Sequence, residues 1–210
     1  MRLAKLMIST HLDNHAERNV IRLELRRNIV LRDLDDEGRK ELERHLVIVD
    51  AAKGDHLLHQ GVHEMEQYFI LSGILKRVVT NAEAKEMILR FADEDNIETS
   101  YAAWRLNTPT PYSIVCVTKA RVAKLSMPAW VAFIDRAPAL KAAFEYEVMR
   151  LMSEVMAHTI TLHLLDAPGR VLRFMRKHAE LADRIPKKQL AAYLNLSAET
   201  LSRLKQRGKI

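Results

Sequence analysis

The pattern of apolar and polar positions changes character along the chain, and each change marks an element. Residues 1–26 are polar and His-containing, with a scattered helical pattern through Val20, Leu23 and Leu25. This extension reads either as a helix packed on the next domain or as an arm. Asp33–Arg44 follows as a short helix rich in i,i+4 charge pairs such as Asp36–Lys40. From Val47 the apolar residues fall into short runs: Val47–Val49, His56–Leu58, Gln67–Leu71, Ile74–Val79, Lys85–Phe91, Ser113–Val117 and Arg121–Leu125. Gly54, Gly61 and Gly73 punctuate these runs, and Thr80-Asn81-Ala82 reads as a hairpin tip. Short strands at this spacing predict an antiparallel sandwich or jelly roll over residues 27–126.

The period then becomes helical. Ser126 and Pro128 open a short helix over Met127–Arg136, and Pro138 starts a long one that runs to Leu165. In the long helix Leu140, Phe144, Val148, Leu151, Val155, His158 and Leu162 are spaced 4, 4, 3, 4, 3 and 4, a near-heptad seam. Met149, Met152, Met156 and Ile160 add a second apolar face. A helix apolar on two sides must bury one against its own domain and the other against something else. A second copy of the same helix is the simplest partner, so Phe144, Val148, Leu151, Val155, His158 and Leu162 are assigned to a two-fold homodimer interface. The alternative is a helix sandwiched wholly within one chain. Asp166-Ala167-Pro168-Gly169-Arg170 breaks the pattern, and Val171, Leu172, Phe174 and Met175 begin the next helix.

The last segment, Pro186–Arg207, has the layout of a helix-turn-helix. Leu190, Ala191 and Leu194 form the apolar face of a first helix, and Asn195-Leu196-Ser197 interrupts it. Asn tolerates the left-handed backbone of a tight interhelical turn. Ser197 suits the N-cap of a second helix and Glu199 its first turn, where the dipole favours negative charge. Leu201 and Leu204 then face inward, while Glu199, Ser202, Arg203 and Gln206 share the opposite side. That outward set of carboxylate, hydroxyl, guanidinium and amide matches the donor and acceptor pattern of base edges in a DNA major groove. Lys187, Lys188, Ser197, Lys205 and Arg207 surround it and are assigned to phosphates, with Lys209 nearby. The bland alternative is an ordinary helical hairpin with a polar outer face.

Glu199-Thr200-Leu201-Ser202-Arg203 resembles the E-T-x-S-R recognition helix of the catabolite activator/FNR (CRP/FNR) family of bacterial transcription regulators. Lys53–Gly61, K-G-D-x-L-x-x-x-G, followed by Tyr68–Lys76, is similar to the opening of that family's cyclic-nucleotide-binding-type β-roll. The resemblance spans residues 28 to 207. It implies an α+β chain with an N-terminal β-roll, a dimerisation helix over 127–165 and a winged-helix-like helix-turn-helix domain over 166–210. Because the sequence stops at Gly208-Lys209-Ile210, the wing is expected to be short or absent. The resemblance also implies half-sites similar to TTGAT, read as an inverted repeat. Its partners would be double-stranded DNA, a second copy of the chain, an unknown small-molecule effector and RNA polymerase. The family's nucleotide binders carry a Gly-Glu pair, then an Arg followed by a small hydroxyl residue. Here Asp93–Ser113 has no Gly, carries Asp93, Glu94, Asp95 and Glu98, and has Arg105 as its one cation. A phosphate would be repelled, so binding of cAMP or cGMP is not expected.

Charge sharpens this picture. The net charge of +6 divides into +7 on residues 166–210, from eleven Lys/Arg against four Asp/Glu, and −1 on the rest. This is the footprint of a polyanion-binding domain joined to a near-neutral one. No apolar run reaches the length of a membrane span, Met1–Thr10 does not read as a signal peptide, and a single Cys116 fits a reducing cytoplasm. One Cys also excludes a four-Cys iron–sulfur cluster within a chain, and Cys116 reads as an inert buried thiol. His56, His59 and His63 suggest a metal site only weakly, because strand alternation would send His56 and His59 to opposite faces. No cofactor, metal or catalytic residue is assigned, and His158, Trp104 and Trp130 read as packing residues. Two other functional classes remain: a metal-binding or enzymatic jelly roll, and a protein-interaction module with a basic C-terminal domain.

Overall fold

The computed structural model describes residues 7–206. Its elements run β1 (Ile8–His11), α1 (Arg18–Arg27), α2 (Asp36–Glu43), β2 (Val47–Ala51), β3 (His56–Leu58), β4 (Glu66–Ser72), β5 (Leu75–Thr80), β6 (Glu86–Ala92), β7 (Ile97–Thr99), α3 (Tyr101–Arg105), β8 (Ser113–Cys116), β9 (Ala120–Ser126), α4 (Met127–Ile134), α5 (Pro138–Leu164), α6 (Ala167–Lys177), α7 (Ala179–Ala182), α8 (Lys187–Tyr193) and α9 (Ala198–Gln206). The fold is α+β. One sheet has the order β1-β2-β9-β4-β7 and the other β3-β8-β5-β6, and every strand pair is antiparallel.

Strand alternation sorts apolar side chains into layers. Val49, Tyr68, Ile70 and Val122 point between the sheets. Their chain neighbours Ile48, Phe69, Leu71, Ala123 and Leu125 point out of the five-stranded sheet onto α1, α2, α4 and α5. The outer face of the second sheet, through Ile74, Val78, Ile88, Phe91 and Val115, is covered by Val171, Phe174, Leu181, Leu190, Tyr193 and Leu194 of the C-terminal helices. Both sheets therefore have two buried faces. The near-continuous apolar character of β4, Y-F-I-L, follows from that.

The N-terminal extension is part of the roll. Ile8–His11 pairs with Val47–Asp50 as an edge strand, and Ile21 and Leu25 of α1 are buried in the helical layer. Helix ends carry the caps the sequence provides. Asp35, Ser126 and Asp166 accept hydrogen bonds from Gly38, Ala129 and Gly169 backbone N–H groups at 2.8, 3.4 and 2.9 Å. The hairpin tip between β5 and β6 is closed by Asn81, whose Oδ1 accepts from the N–H of Glu83 and Lys85.

Helix α5 corrects the assignment of its two faces. Phe144 is 0% exposed, and Leu151 and Val148 are 2% and 8% exposed, all against this chain's own helical layer. Val155 and Leu162 are half-buried. His158 stacks on Tyr193 of α8 within the chain, with ring centroids 3.7 Å apart. The near-heptad seam is thus largely used inside one chain. The open apolar stripe is Tyr146, Met149, Met152, Met156, Ile160 and Leu164, each at least half exposed.

Candidate nucleic-acid interface and ligand cavity

Helices α8 and α9 meet at a turn whose geometry follows from Asn195, which sits at φ 53°. The N–H groups of Asn195 and Leu196 close the turn onto the carbonyls of Ala192 and Ala191 at 3.1 and 2.9 Å. Ala191, at 2% exposure, is small enough to let the segments approach. Ser197 Oγ accepts from the Thr200 N–H at 3.1 Å, capping α9 as its sequence implies. Leu190, Leu194 and Leu201 are buried and Leu204 packs beside them.

The opposite side of α9 is open. Glu199, Ser202, Arg203 and Gln206 are all exposed on it. Lys187, Lys188, Ser197 and Lys205 are exposed as well. None of the ion pairs between described residues uses Lys187, Lys188, Arg203 or Lys205. Arg207 and Lys209 lie outside the described residues, as does the expectation about a wing. By contrast, Arg184 is spent within the chain: it donates to Glu94 at 2.7 and 2.8 Å and lies 3.8 Å from Asp93. That pair ties the C-terminal helices to the roll.

Inside the roll lies an ion network that sequence reading missed. Arg77 of β5 and Arg90 of β6 face each other in register, and both reach Glu98 of β7 in the other sheet. Arg77 donates to Glu98 Oε2 at 3.1 and 2.6 Å, and Arg90 to Glu98 Oε1 at 2.6 Å. All three side chains are buried. Arg105 is therefore not the cation that matters here. Glu98 is not free to repel a phosphate; it already fills the role of an anion between two guanidinium groups. The available signal was a pair of Arg residues at equal distances from a hairpin tip, since like charges directly opposite on a sheet demand a counter-ion. Strand β7 was overlooked because Ile97-Glu98-Thr99 sits in a run of acidic residues.

Beside this network a cavity of about 270 Å³ opens between the roll and α5, with Arg77, Thr99, Tyr101 and Tyr112 on one side and Val148, Leu151, Met152 and Val155 on the other. The Arg77 guanidinium lies 4.2 Å from the centre of the Tyr112 ring.

The histidine expectation also changes in detail. His56 and His59 stack at 4.6 Å with rings 8° from parallel, because His59 lies past the end of β3, where alternation no longer applies. Burial first, and then the neighbouring His59, hold His56 below its ordinary pKa, which disfavours a charged pair. Among the described residues no group of three His, Cys, Asp or Glu side chains is placed to hold a metal ion. Cys116 is buried and free, and burial pushes its thiol up to about 12, so it is protonated at neutral pH. Trp130 is wholly buried, and Trp104 packs at the edge of the same core.

Residues 48–137 match the family model of the cyclic nucleotide-binding domain. Solved structures resemble the chain beyond the matched residues. The c-di-GMP responsive global regulator CLP of Xanthomonas campestris is 14% identical, with 83% of this chain and 92% of that one covered at a TM-score of 0.68. FixK2 of Bradyrhizobium japonicum is 14% identical, with 78% and 86% covered at 0.67. The catabolite activator protein of Thermus thermophilus is 20% identical, with 86% and 88% covered at 0.55. At these identities the likeness is one of fold. No curated protein matches the sequence. No helix among the described residues is long and apolar enough to cross a membrane.

Proposed function

We propose that this chain is a sequence-specific DNA-binding transcription regulator of the CRP/FNR type, acting as a homodimer in the cytoplasm. The observation that carries the reading is the outward face of α9, where Glu199, Ser202, Arg203 and Gln206 stand exposed. Arg203 can give two parallel hydrogen bonds to a guanine, Glu199 can accept from a cytosine amino group, and Ser202 and Gln206 can serve either way. Lys187, Lys188, Ser197, Lys205 and Arg207 would hold phosphates and set the docking angle without reading sequence. The chain is not an enzyme in this reading, and RNA polymerase is a partner of the DNA-bound form.

The dimer face in this proposal is the open stripe of α5, centred on Met149, Met152, Met156 and Ile160, rather than Phe144, Val148 and Leu151. Pairing there would present two copies of α9 to successive major grooves about 34 Å apart, on an inverted repeat with TTGAT-like halves. Cyclic AMP is not the effector in this reading, because Asp93–Ser113 lacks the Gly-Glu pair and the Arg followed by a small hydroxyl residue that the nucleotide binders carry.

The test is selection of bound sequences from a random DNA pool, followed by titration of Arg203→Ala on the selected site. Loss of a bidentate contact should cost about 1–3 kcal/mol and relax preference at one base pair of each half-site. A variant that binds the selected site as tightly as the unaltered protein would remove Arg203 from the interface. A pool that yields no preferred sequence would leave the reading without support, and a protein-interaction role for the basic domain would then be favoured.

A further inference from the structure

Where the roll, α5 and the C-terminal helices meet, four cations and one carboxylate line a small cavity. Its volume is about 50 Å³, and its charged wall is Arg90 of β6, Glu154 of α5, and Arg170, Arg173 and Lys177 of α6, with His158 beside them. It shares no lining residue with the larger cavity beside Tyr112. The carboxylate is already engaged. Glu154 Oε1 accepts from Arg150 at 2.8 Å and lies 3.6 Å from Lys177 Nζ, while Oε2 is 4.0 Å from Arg90 Nη2. Arg90 shares Glu98 with Arg77, so two guanidinium groups have a single counter-ion there. Arg170 donates only to the neutral carbonyls of Leu165 and Leu194, at 2.9 and 3.3 Å. Neither Arg170 nor Arg173 has an ion pair with any described residue. Two buried atoms on this wall, Arg90 Nε and His158 Nε2, also lack a hydrogen-bond partner among the described residues. Arg90 is only 6% exposed, and a buried guanidinium N–H without an acceptor is costly. The imidazoles feel the same field: burial is the main cause that lowers His158 and His178, and Lys177 adds repulsion to both.

We propose that this junction cavity is a binding site for one small oxyanion of the inorganic phosphate class, held by Arg90 from the roll and by Arg173 and Lys177 from α6. An oxyanion gives Arg90 Nε a charged acceptor, the stronger kind of hydrogen bond. His158 Nε2 can donate to it or accept from its hydroxyl, according to the tautomer. Water could satisfy the same atoms but would leave the excess positive charge unanswered. The volume of about 50 Å³ is that of a few water molecules, which fits a free tetrahedral ion and excludes a nucleoside. Bound there, the ion bridges β6 to α6, so its binding and the docking of the C-terminal helices on the roll are linked. In the regulator reading this linkage would bias where α9 is presented to DNA. That last consequence rests on the regulator reading; the site and its ligand class do not.

The experiment is titration calorimetry of the full chain with inorganic phosphate, in a zwitterionic buffer whose ionic strength is held constant with chloride. One phosphate should bind per chain, saturably. Arg90→Lys keeps the charge but removes Nε, and should weaken binding at least about tenfold, the loss expected for a charge-assisted hydrogen bond. Should that variant fail to fold, the double substitution R173Q/K177Q, confined to exposed side chains, should show a comparable loss. K187A/K188A, at positions outside the cavity, should bind phosphate as the unaltered protein does. AMP should bind at least about tenfold more weakly than phosphate, because its nucleoside does not fit. Hydrogen exchange should slow in β6 and α6 together when phosphate is added. Four results would each overturn the proposal: no saturable binding at matched ionic strength, unaltered affinity in R173Q/K177Q, an equal loss in K187A/K188A, or no change in exchange. AMP binding more tightly than phosphate would replace the free ion with a phosphate ester and overturn the ligand class. DNA binding is measured on the same preparation in phosphate-free buffer. A protein that binds its selected DNA but not phosphate sinks the ion site alone, and one that binds phosphate but no DNA sinks the regulator reading alone.

Discussion

At the scale of single residues, several positions are fixed by backbone geometry that no other side chain meets as well. Gly73, between β4 and β5, sits at φ 91°, and a Cβ there would lie 2.3 Å from the Lys119 carbonyl oxygen and 2.8 Å from Ala120 Cα. Its N–H also donates to Glu94 at 2.8 Å, the carboxylate that receives Arg184. Gly73→Ala combines an unfavourable φ with a clash against backbone, so it should destabilise the fold by well over the ~1 kcal/mol of a typical substitution. Chemical denaturation followed by far-UV circular dichroism reads this directly; an unchanged midpoint would mean the loop relaxes freely. Gly54 and Gly61 also have positive φ, at 90° and 87°, but a Cβ at either meets no atom within 4 Å, so an alanine at either should cost less. This ranking was not legible from the sequence, where all three glycines look like turn markers. Asn195 was legible: its φ of 53° is the left-handed conformation that an Asn between two helical patterns implies. The difference is physical. A residue type reveals a preferred backbone conformation, but not what lies across from it in space.

At the scale of elements, the strands and long helices were readable because their periods differ and their caps are local. All seven sequence-predicted strands are present. Strands β1 and β7 and helix α3 were not read, since each is only three to five residues long and their signal is drowned by charged neighbours. Helix α5 shows a deeper limit. Two apolar stripes are visible in its sequence, yet periodicity alone does not say which one faces the chain's own core. The six positions assigned to pairing, Phe144 to Leu162, look like a coiled-coil seam because a helix lying along a packed roll needs a continuous stripe too. The corrected assignment separates two kinds of substitution. On the proposed dimer, Met156→Glu or Ile160→Glu, each on the open stripe, should convert dimer to monomer in sedimentation equilibrium while leaving the thermal transition of the monomer in place. Phe144→Ala should instead cost about 3–5 kcal/mol of folding stability, because it empties a site packed against Trp130 and Tyr101. If Phe144→Ala dissociated the protein without lowering the stability of the fold, the original seam would be the interface after all.

At the scale of the whole molecule, the C-terminal helices are set against the roll by a mixture of apolar packing and ion pairs. Phe91 of β6 meets Tyr193 of α8 at 5.1 Å between centroids, and Tyr193 is stacked on His158 of α5 with the rings 2° from parallel. Glu154 links α5 to both sides, lying 4.0 Å from Arg90 in the roll and 3.6 Å from Lys177 in α6. His158 is the titratable group at the centre of this junction. Burial is the main reason it is lowered to about 4, with His178 and Lys177 adding repulsion that a backbone hydrogen bond at Tyr193 only partly offsets. His178 is lowered as well, again chiefly by burial. The imidazole is therefore neutral in the folded protein at pH 6, while in the unfolded chain it takes up a proton as pH falls through its ordinary value of 6.5. Below that value the unfolded state binds more protons, so stability conferred by the neutral ring is fully present above pH 6.5 and is lost progressively as pH falls towards 4. The apolar stack makes the same junction the first place where docking of α6–α9 on the roll should loosen in acid. Urea denaturation at pH 7.5 and at pH 5 tests this. The unaltered protein should show a lower midpoint at pH 5, and His158→Phe, which keeps a flat ring on Tyr193 but cannot take a proton, should show a smaller drop between the two pH values. The residual drop in that variant belongs to His178 and His56, both also held below the ordinary value, and should diminish further in the double variant H158F/H178F. Identical pH dependence in the unaltered protein and H158F would mean that His158 takes up a proton as readily in the fold as in the unfolded chain, so that the junction on Tyr193 does not hold the ring neutral.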